Sequence, residues 1–185
     1  LDHLAELVEI EGRLAAFGSL DKLPDDELRL AKQCGYSDRQ LAKLLGSEEL
    51  EVRAWRKARG VVSTFKAVDT CAAEFEAQTP YFYADYDCME NEAQTFLQKH
   101  DTGKRRVIVF GSGPIRIGQG IEFDYASVHA AWTLQEAGLR SVMINSNPET
   151  VSTDFDTSDR LYFEPLDEES VRDVIENEQG SDAEP

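Results

Sequence analysis

Residues 107–123 read VIVFGSGPIRIGQGIEF, and their reading decides the fold. A β-branched run, Val107 to Phe110, enters a loop holding Gly111, Gly113, Gly118 and Gly120, and an apolar, helix-like stretch from Tyr125 to Ala137 leaves it before Gly138. Strand, loop and helix in that order open a βαβ unit. Ser141 to Asn145 supply a second strand, and Arg160 to Phe163 a third after the loop NSNPETVSTDFDTSD of residues 145–159. EPLDEESVRDVIENE, residues 164–178, then has the spacing and early acids of another helix. The expectation is the front half of an open parallel, Rossmann-like sheet, with 107–110 buried and the strand at 160–163 presenting an unpaired edge.

The loop does not match the phosphate-binding patterns it first brings to mind. A dinucleotide fingerprint is G-x-G-x-x-G, and Arg116 stands where the third glycine belongs. The Gly-Lys-Ser/Thr ending of a P-loop is missing too. At the end of the second strand, where an acid would hold a ribose, stand Asn145, Ser146 and Asn147. A glycine-rich turn also lets backbone approach other protein closely. Arg116 and Glu122 flank this turn, either buried and paired or exposed at the surface. A nucleotide-binding oxidoreductase domain stays open as a rival reading.

Upstream, the first sixty residues are helical. Leu4, Leu7, Val8, Glu11, Leu14 and Ala15 share one helix face, with Gly18 as the stop. Pro24 with Asp25, Asp26 and Glu27 starts a second helix that ends near Gly35. Ser37 and Gln40 have capping-box spacing for a third, which Gly46 breaks. Ser47 is placed to cap a fourth, with Leu50, Ala54 and Ala58 on one face and Trp55 beside it. Arg53, Arg56, Lys57 and Arg59 on that helix give a second rival reading, a helix-turn-helix regulator. The competing view is a helical bundle with a solvated basic edge, since residues 37–60 hold six basic and four acidic side chains. Between the two regions, residues 62–104 lack a clear period and read as an ordered connector, whose Tyr81, Phe82, Tyr83 and Tyr86 need cover. The domain boundaries expected are therefore 1–61, 62–104 and 105–185.

A net charge of −17 opposes phosphate polymers and anionic lipid, so neither nucleic acid nor membrane is an expected partner. From Glu149 onward, only Arg160 and Arg172 offset thirteen acids. Cys34, Cys71 and Cys88 show no paired spacing and are expected as reduced thiols in a cytoplasmic-type compartment. His3, His100 and His129 are equally scattered, and no metal site is expected. The sequence starts at Leu1, which points to a piece of a longer chain.

Longer strings are more specific. GSGPIRIGQGIEFDYASVHA (111–130) and NSNPETVSTDFDTSDRLYFEPL (145–166) closely resemble the start of the second synthetase half of the carbamoyl-phosphate synthase large chain. VDTCAAEFEAQTPYFYADYD (68–87) is similar to that family's connector. GYSDRQLAKLLG (35–46) and EVRAWRKARG (51–60) resemble the end of its helical oligomerisation domain. The resemblance implies a mainly α N-terminal helical domain followed by a truncated α/β pre-ATP-grasp domain. It implies a parent ligase making carbamoyl phosphate from bicarbonate, glutamine-derived ammonia and two ATP, for arginine and pyrimidine synthesis. It further implies ATP and Mg²⁺ or Mn²⁺ in ATP-grasp domains of that parent, with no cofactor and no catalysis in this piece. The implied partners are the remaining large-chain domains, a small glutamine amidotransferase subunit and further copies of the helical domain, in the cytoplasm or, in a eukaryote, an organelle. Carried over by motif, Gly120 and Glu122 of QGIE and Glu149 of NPET would wall the interior passage that carries carbamate between sites. The tail QGSDAEP departs from the family, which would continue into a further strand.

Overall fold

The computed structural model describes residues 2–70, 72, 74, 79–87, 90–100, 103–114, 116–118, 120 and 122–180. Cys71, Cys88 and the QGSDAEP ending after Gly180 lie outside them. The chain divides into two compact units: Leu1–Ser63 with Asp85–Cys88, and Thr64–Ala84 with Met89–Pro185.

The first unit is helical: α1 (Asp2–Phe17), α2 (Asp25–Gln33), α3 (Asp38–Leu45) and α4 (Glu49–Ala58). Local chemistry sets the boundaries. Pro24 precedes α2, with three acids in the first turn against the positive end of the helix dipole. Ser37 Oγ accepts the Gln40 N–H at 3.1 Å while the Gln40 side chain accepts the Ser37 N–H at 2.9 Å, which closes the expected capping box of α3. Gly46 ends that helix in the left-handed conformation, φ +66°. The start of α4 differs from expectation. Glu48 is its N-cap, and Ser47 donates its hydroxyl to Glu51 Oε2 at 3.0 Å.

Two expected helix faces are corrected. On α1 the buried residues are Ile10 and Leu14, whereas Leu4, Leu7, Val8 and Ala15 are exposed. The helix is apolar on more than one side, and periodicity could not tell which side the rest of the unit would cover. On α4 the buried side carries Val52, Arg53 and Arg56, while Leu50, Ala54 and Ala58 face solvent. Arg56 is fully buried because Asp38 receives it, with Arg56 Nε 2.9 and 2.8 Å from the two carboxylate oxygens. Lys32 donates to the same carboxylate at 3.1 Å and to the Tyr36 carbonyl at 2.8 Å. The ring of Tyr86 lies over both cations. Arg59 pairs with Asp25 and stacks on Trp55. The basic helix of the regulator reading thus spends two of its four cations inside the unit.

The second unit is α/β, with β1 (Thr64–Ala67), β2 (Tyr81–Asp85), α5 (Glu92–His100), β3 (Arg106–Phe110), α6 (Glu122–Glu136), β4 (Arg140–Ile144), β5 (Arg160–Tyr162) and α7 (Glu168–Gln179). The sheet order is β1-β2-β5-β4-β3, and the β2–β5, β5–β4 and β4–β3 pairings are parallel. Alternation along the strands divides the core. Val142, Ile144 and Tyr162 pack with Ala93 of α5 and Val174 of α7. Met143 and Leu161 pack with Ala131 of α6.

Two sequence expectations about edges are reversed here. β5 is not an edge, because β2 pairs it through Tyr81↔Leu161 and Phe82↔Tyr162. β3 stands at the end of the order and is half-exposed where a buried strand was expected. The stretch read as a connector therefore contributes β1, β2 and α5 to the sheet unit. Of its aromatics, Phe82 is buried, Tyr81 meets Phe163 edge-on and Tyr83 is exposed. A buried polar cluster joins β5 to α7: Arg160 and Tyr162 both reach the Glu178 carboxylate, and Asn177 donates to the Tyr162 hydroxyl at 2.9 Å. Burial first, and Glu178 next, push the Tyr162 phenol well above its ordinary range. No helix among the described residues is long and apolar enough to cross a membrane.

Candidate functional site

The site forms where β3 and β4 end side by side, as expected for the C-terminal edge of a parallel sheet. Gly111 continues the ladder by donating to the Ile144 carbonyl at 2.8 Å. A Cβ there would fall 2.5–2.7 Å from three side-chain atoms of Asn145, which is fully buried. Asn145 Oδ1 accepts the Gly113 N–H at 3.1 Å and Asn145 Nδ2 donates to Ser152 Oγ at 2.9 Å. Its own backbone N–H donates to the Tyr162 carbonyl of β5. One asparagine thus ties together the glycine turn, the loop after β4 and the neighbouring strand.

The loop after β4 is held by further short-range bonds. Glu149 N–H donates to Asn147 Oδ1, and Thr153 Oγ1 donates to the Thr150 carbonyl. A 3-10 turn at Val151–Thr153 brings Ser152 N–H to within 2.7 Å of Asp124 Oδ2, on the first turn of α6. Asp124 is 2% exposed. At the same helix start, Glu122 folds back over Gly120: a Cβ on that glycine would lie 2.1 Å from Glu122 Oε2.

The residues singled out from sequence therefore fall into separate groups. Gly111 packs closely against Asn145, Gly113 donates its N–H to it, and Gly113 is buried. Gly120 and Glu122 abut one another. Arg116 and Gly118 are exposed, and so is Glu149. Of the two readings of Arg116 and Glu122, exposure is the one found. Asn145, Ser152 and Asp124 were not foreseen as the residues that organise the site. Their sequence signal was visible in part, as an asparagine where a ribose-binding acid would stand and as an acid near the start of an apolar helix.

Among the described residues the turn does not form a dinucleotide cradle: the room that Gly111 leaves is filled by the Asn145 side chain. Among the described residues, no group of three or more His, Cys, Asp or Glu side chains is placed to hold a metal ion.

Comparison with known proteins accords with the two-unit division. Residues 1–60 match the profile described as the carbamoyl-phosphate synthetase large chain oligomerisation domain, and residues 103–183 that of the carbamoyl phosphate synthase preATP-grasp domain. The carbamoyl phosphate synthase large chain of Myxococcus xanthus is 56% identical over 178 residues, 96% of this chain and 16% of that one. Those of Thermus thermophilus and Archaeoglobus fulgidus are 53% and 50% identical over 96% and 97% of this chain, and again 16% of their own length. The chain belongs to the carbamoyl phosphate synthase large-chain family. It spans about a sixth of the length of those large chains.

Proposed function

We propose that this chain is a non-catalytic part of an ATP-dependent ligase that makes carbamoyl phosphate from bicarbonate, glutamine-derived ammonia and two ATP. In this reading the helices of residues 1–61 are the oligomerisation module, and the sheet unit opens the second synthetase half ahead of an ATP-grasp domain. ATP and Mg²⁺ or Mn²⁺ belong to that domain, and the ammonia to a glutamine amidotransferase subunit.

The observation that carries the reading is the abutment of Gly120 and Glu122 at the head of α6. A missing side chain leaves room, and a carboxylate occupies it. Such a pair suits the wall of a passage for carbamate, a small polar intermediate that must be kept from bulk water. Glu149, on the loop after β4, is the third wall residue in this proposal. The decisive experiment places Gly120→Phe in the longer enzyme. Synthesis of carbamoyl phosphate is expected to fall while the bicarbonate-dependent and carbamate-dependent ATPase activities continue. Unchanged synthesis removes the assignment of the wall. ATP hydrolysis by the 185-residue chain alone, with bicarbonate or carbamate present, removes the non-catalytic reading.

A further inference from the structure

β3 ends the sheet with its far edge open. Two bonds at its ends fix which backbone groups face β4: the Arg140 N–H donates to the Arg105 carbonyl at 2.9 Å, and the Gly111 N–H donates to the Ile144 carbonyl at 2.8 Å. Residues of a strand alternate in direction, so 105, 107, 109 and 111 turn their backbone toward β4, and Arg106, Ile108 and Phe110 turn theirs away. Among the described residues no strand pairs with that outer row. Val107, Ile108 and Val109 are half-buried, with Ile108 on the side of α5 and α7 and Val109 on the side of α6. An edge meant for water is blunted by charge, proline or a bulge. RVIVF carries one charge, at its first position, and no proline, and its register with β4 runs unbroken.

The crossovers already present say which segment belongs there. From β2 the chain passes through α5 and arrives at β3, three places along the sheet. From β3 it passes through α6 and steps back to β4. α5 lies on one face with Ile144 and Tyr162, and α6 on the other with Met143 and Leu161. The four strands from β2 to β3 are parallel, so both crossovers have the same hand, as strand twist requires of such units. A helix on the α5 face carries the chain toward β3, and a helix on the α6 face carries it away. α7 lies on the α5 face, where Val174 packs in one cluster with Ala93 and Asn177 accepts from Gln94 at 3.0 Å. A parallel strand that follows α7 therefore lies on the β3 side of β5. The first place on that side is held by β4 and the next by β3, which leaves the free edge of β3.

We infer that the outer edge of β3 receives, as a parallel sixth strand, the segment that follows α7 in the longer polypeptide. This rests on the reading that the chain is carried in the longer ligase, whose relatives have about five-sixths of their length outside this chain. The strand order then reverses between β3 and the incoming strand, and the crevice of an open parallel sheet sits at such a reversal. The glycine turn is one lip of that crevice. The loop that leaves the incoming strand is the other, so the wall proposed at Gly120 and Glu122 is completed from beyond α7.

Amide hydrogen exchange, read residue by residue, tests it. In the 185-residue chain the N–H groups of Val107 and Val109 should be protected, while those of Ile108 and Phe110 exchange freely. Adding about 20 of the residues that follow in the longer polypeptide, enough for a short connection and a strand, should slow Ile108 and Phe110 by roughly tenfold or more each. The full large chain should give the same pattern. No slowing in either overturns the assignment. So does slowing that only the full large chain shows, because a later domain then holds the edge. Slowing at Thr64–Ala67 of β1 in place of β3 overturns it through the hand of the crossover. Protection of Ile108 and Phe110 that grows with the concentration of the 185-residue chain identifies a second copy as the occupant and overturns it too. Carbamoyl phosphate synthesis measured on the full large chain keeps the two readings apart: protection without synthesis refutes the function and leaves the edge pairing standing, and synthesis without protection does the reverse.

Discussion

The Cβ that Gly111 lacks would lie 2.5 Å from Cγ of Asn145, a side chain buried at the meeting of three segments. Neither residue can shift easily, since Asn145 is bonded to Gly113 and Ser152 and Gly111 is bonded into β4. Gly111→Ala is therefore expected to destabilise the sheet unit by about 2–3 kcal/mol, through crowding and disturbed buried hydrogen bonds. Asn145→Ala should also be destabilising, because the Gly113 N–H loses its acceptor. The double variant should cost somewhat less than the sum, since alanine at 145 removes Cγ and Nδ2, two of the three atoms the new methyl would meet, and leaves only Cβ at 2.7 Å. Denaturant unfolding of the four proteins checks this. Additive costs would mean that the two side chains do not compete for the same room.

Gly120 makes the opposite case. The atoms a Cβ would meet belong to the carboxylate end of Glu122, an exposed and flexible side chain. Gly120→Ala should move that carboxylate aside and leave stability within about 0.5 kcal/mol of the parent. The comparison separates two kinds of close approach that look alike in sequence. A loss as large as that of Gly111→Ala would show that backbone, not the glutamate, fixes this glycine.

Much of this architecture could be read from the sequence where the governing contact is local. The caps of α2 and α3 lie within a few residues of the helices they start, and β4, β5 and α7 follow the expected spacing. What escaped reading depends on distant partners. The inward face of α4 is set by Asp38, 18 residues before Arg56. The cover over β5 comes from β2, whose Tyr81 pairs with Leu161 eighty positions on. The glycine turn announced close approach, but its partner Asn145 lies beyond a whole helix and strand, and an asparagine has many ordinary uses. The separation of Gly120 from Gly111 in role was not legible at all, because it turns on which side chain folds over which glycine.

Asp38 accepts from both Lys32 and Arg56, and all three side chains are almost wholly buried. Removing the carboxylate strands two cations in a low-dielectric interior, a larger penalty than loss of the pair's net attraction. Asp38→Ala is expected to destabilise the helical unit by about 3–5 kcal/mol. Loss of helical circular dichroism at lower urea reports it. A cost below about 1 kcal/mol, the range of exposed pairs, would show that water reaches the cations.

Glu164 gives the chain a pH dependence of unusual sign. Burial holds its carboxyl at about 7, against an ordinary 4.5; the Ala84 N–H donating at 2.5 Å works to lower it, and Asp167, Asp173 and Glu169 raise it further. A carboxyl raised on folding binds its proton more tightly in the native chain, so its contribution is complete below about pH 4.5 and is lost as pH rises through 7. At most about 3 kcal/mol is involved. Glu92 and Asp159 act in the other direction: the Lys66 ammonium holds the first below its usual range, and for the second the Ser141 N–H and Arg140 outweigh burial. Glu164→Gln leaves those two groups in place and retains an acceptor for Ala84, so the difference between variant and parent isolates Glu164. The variant should gain stability over the parent progressively from about pH 5 to about pH 7.5 in thermal melts. Parallel pH curves would show that Glu164 is already ionised at the junction of β2 and β5 in acid.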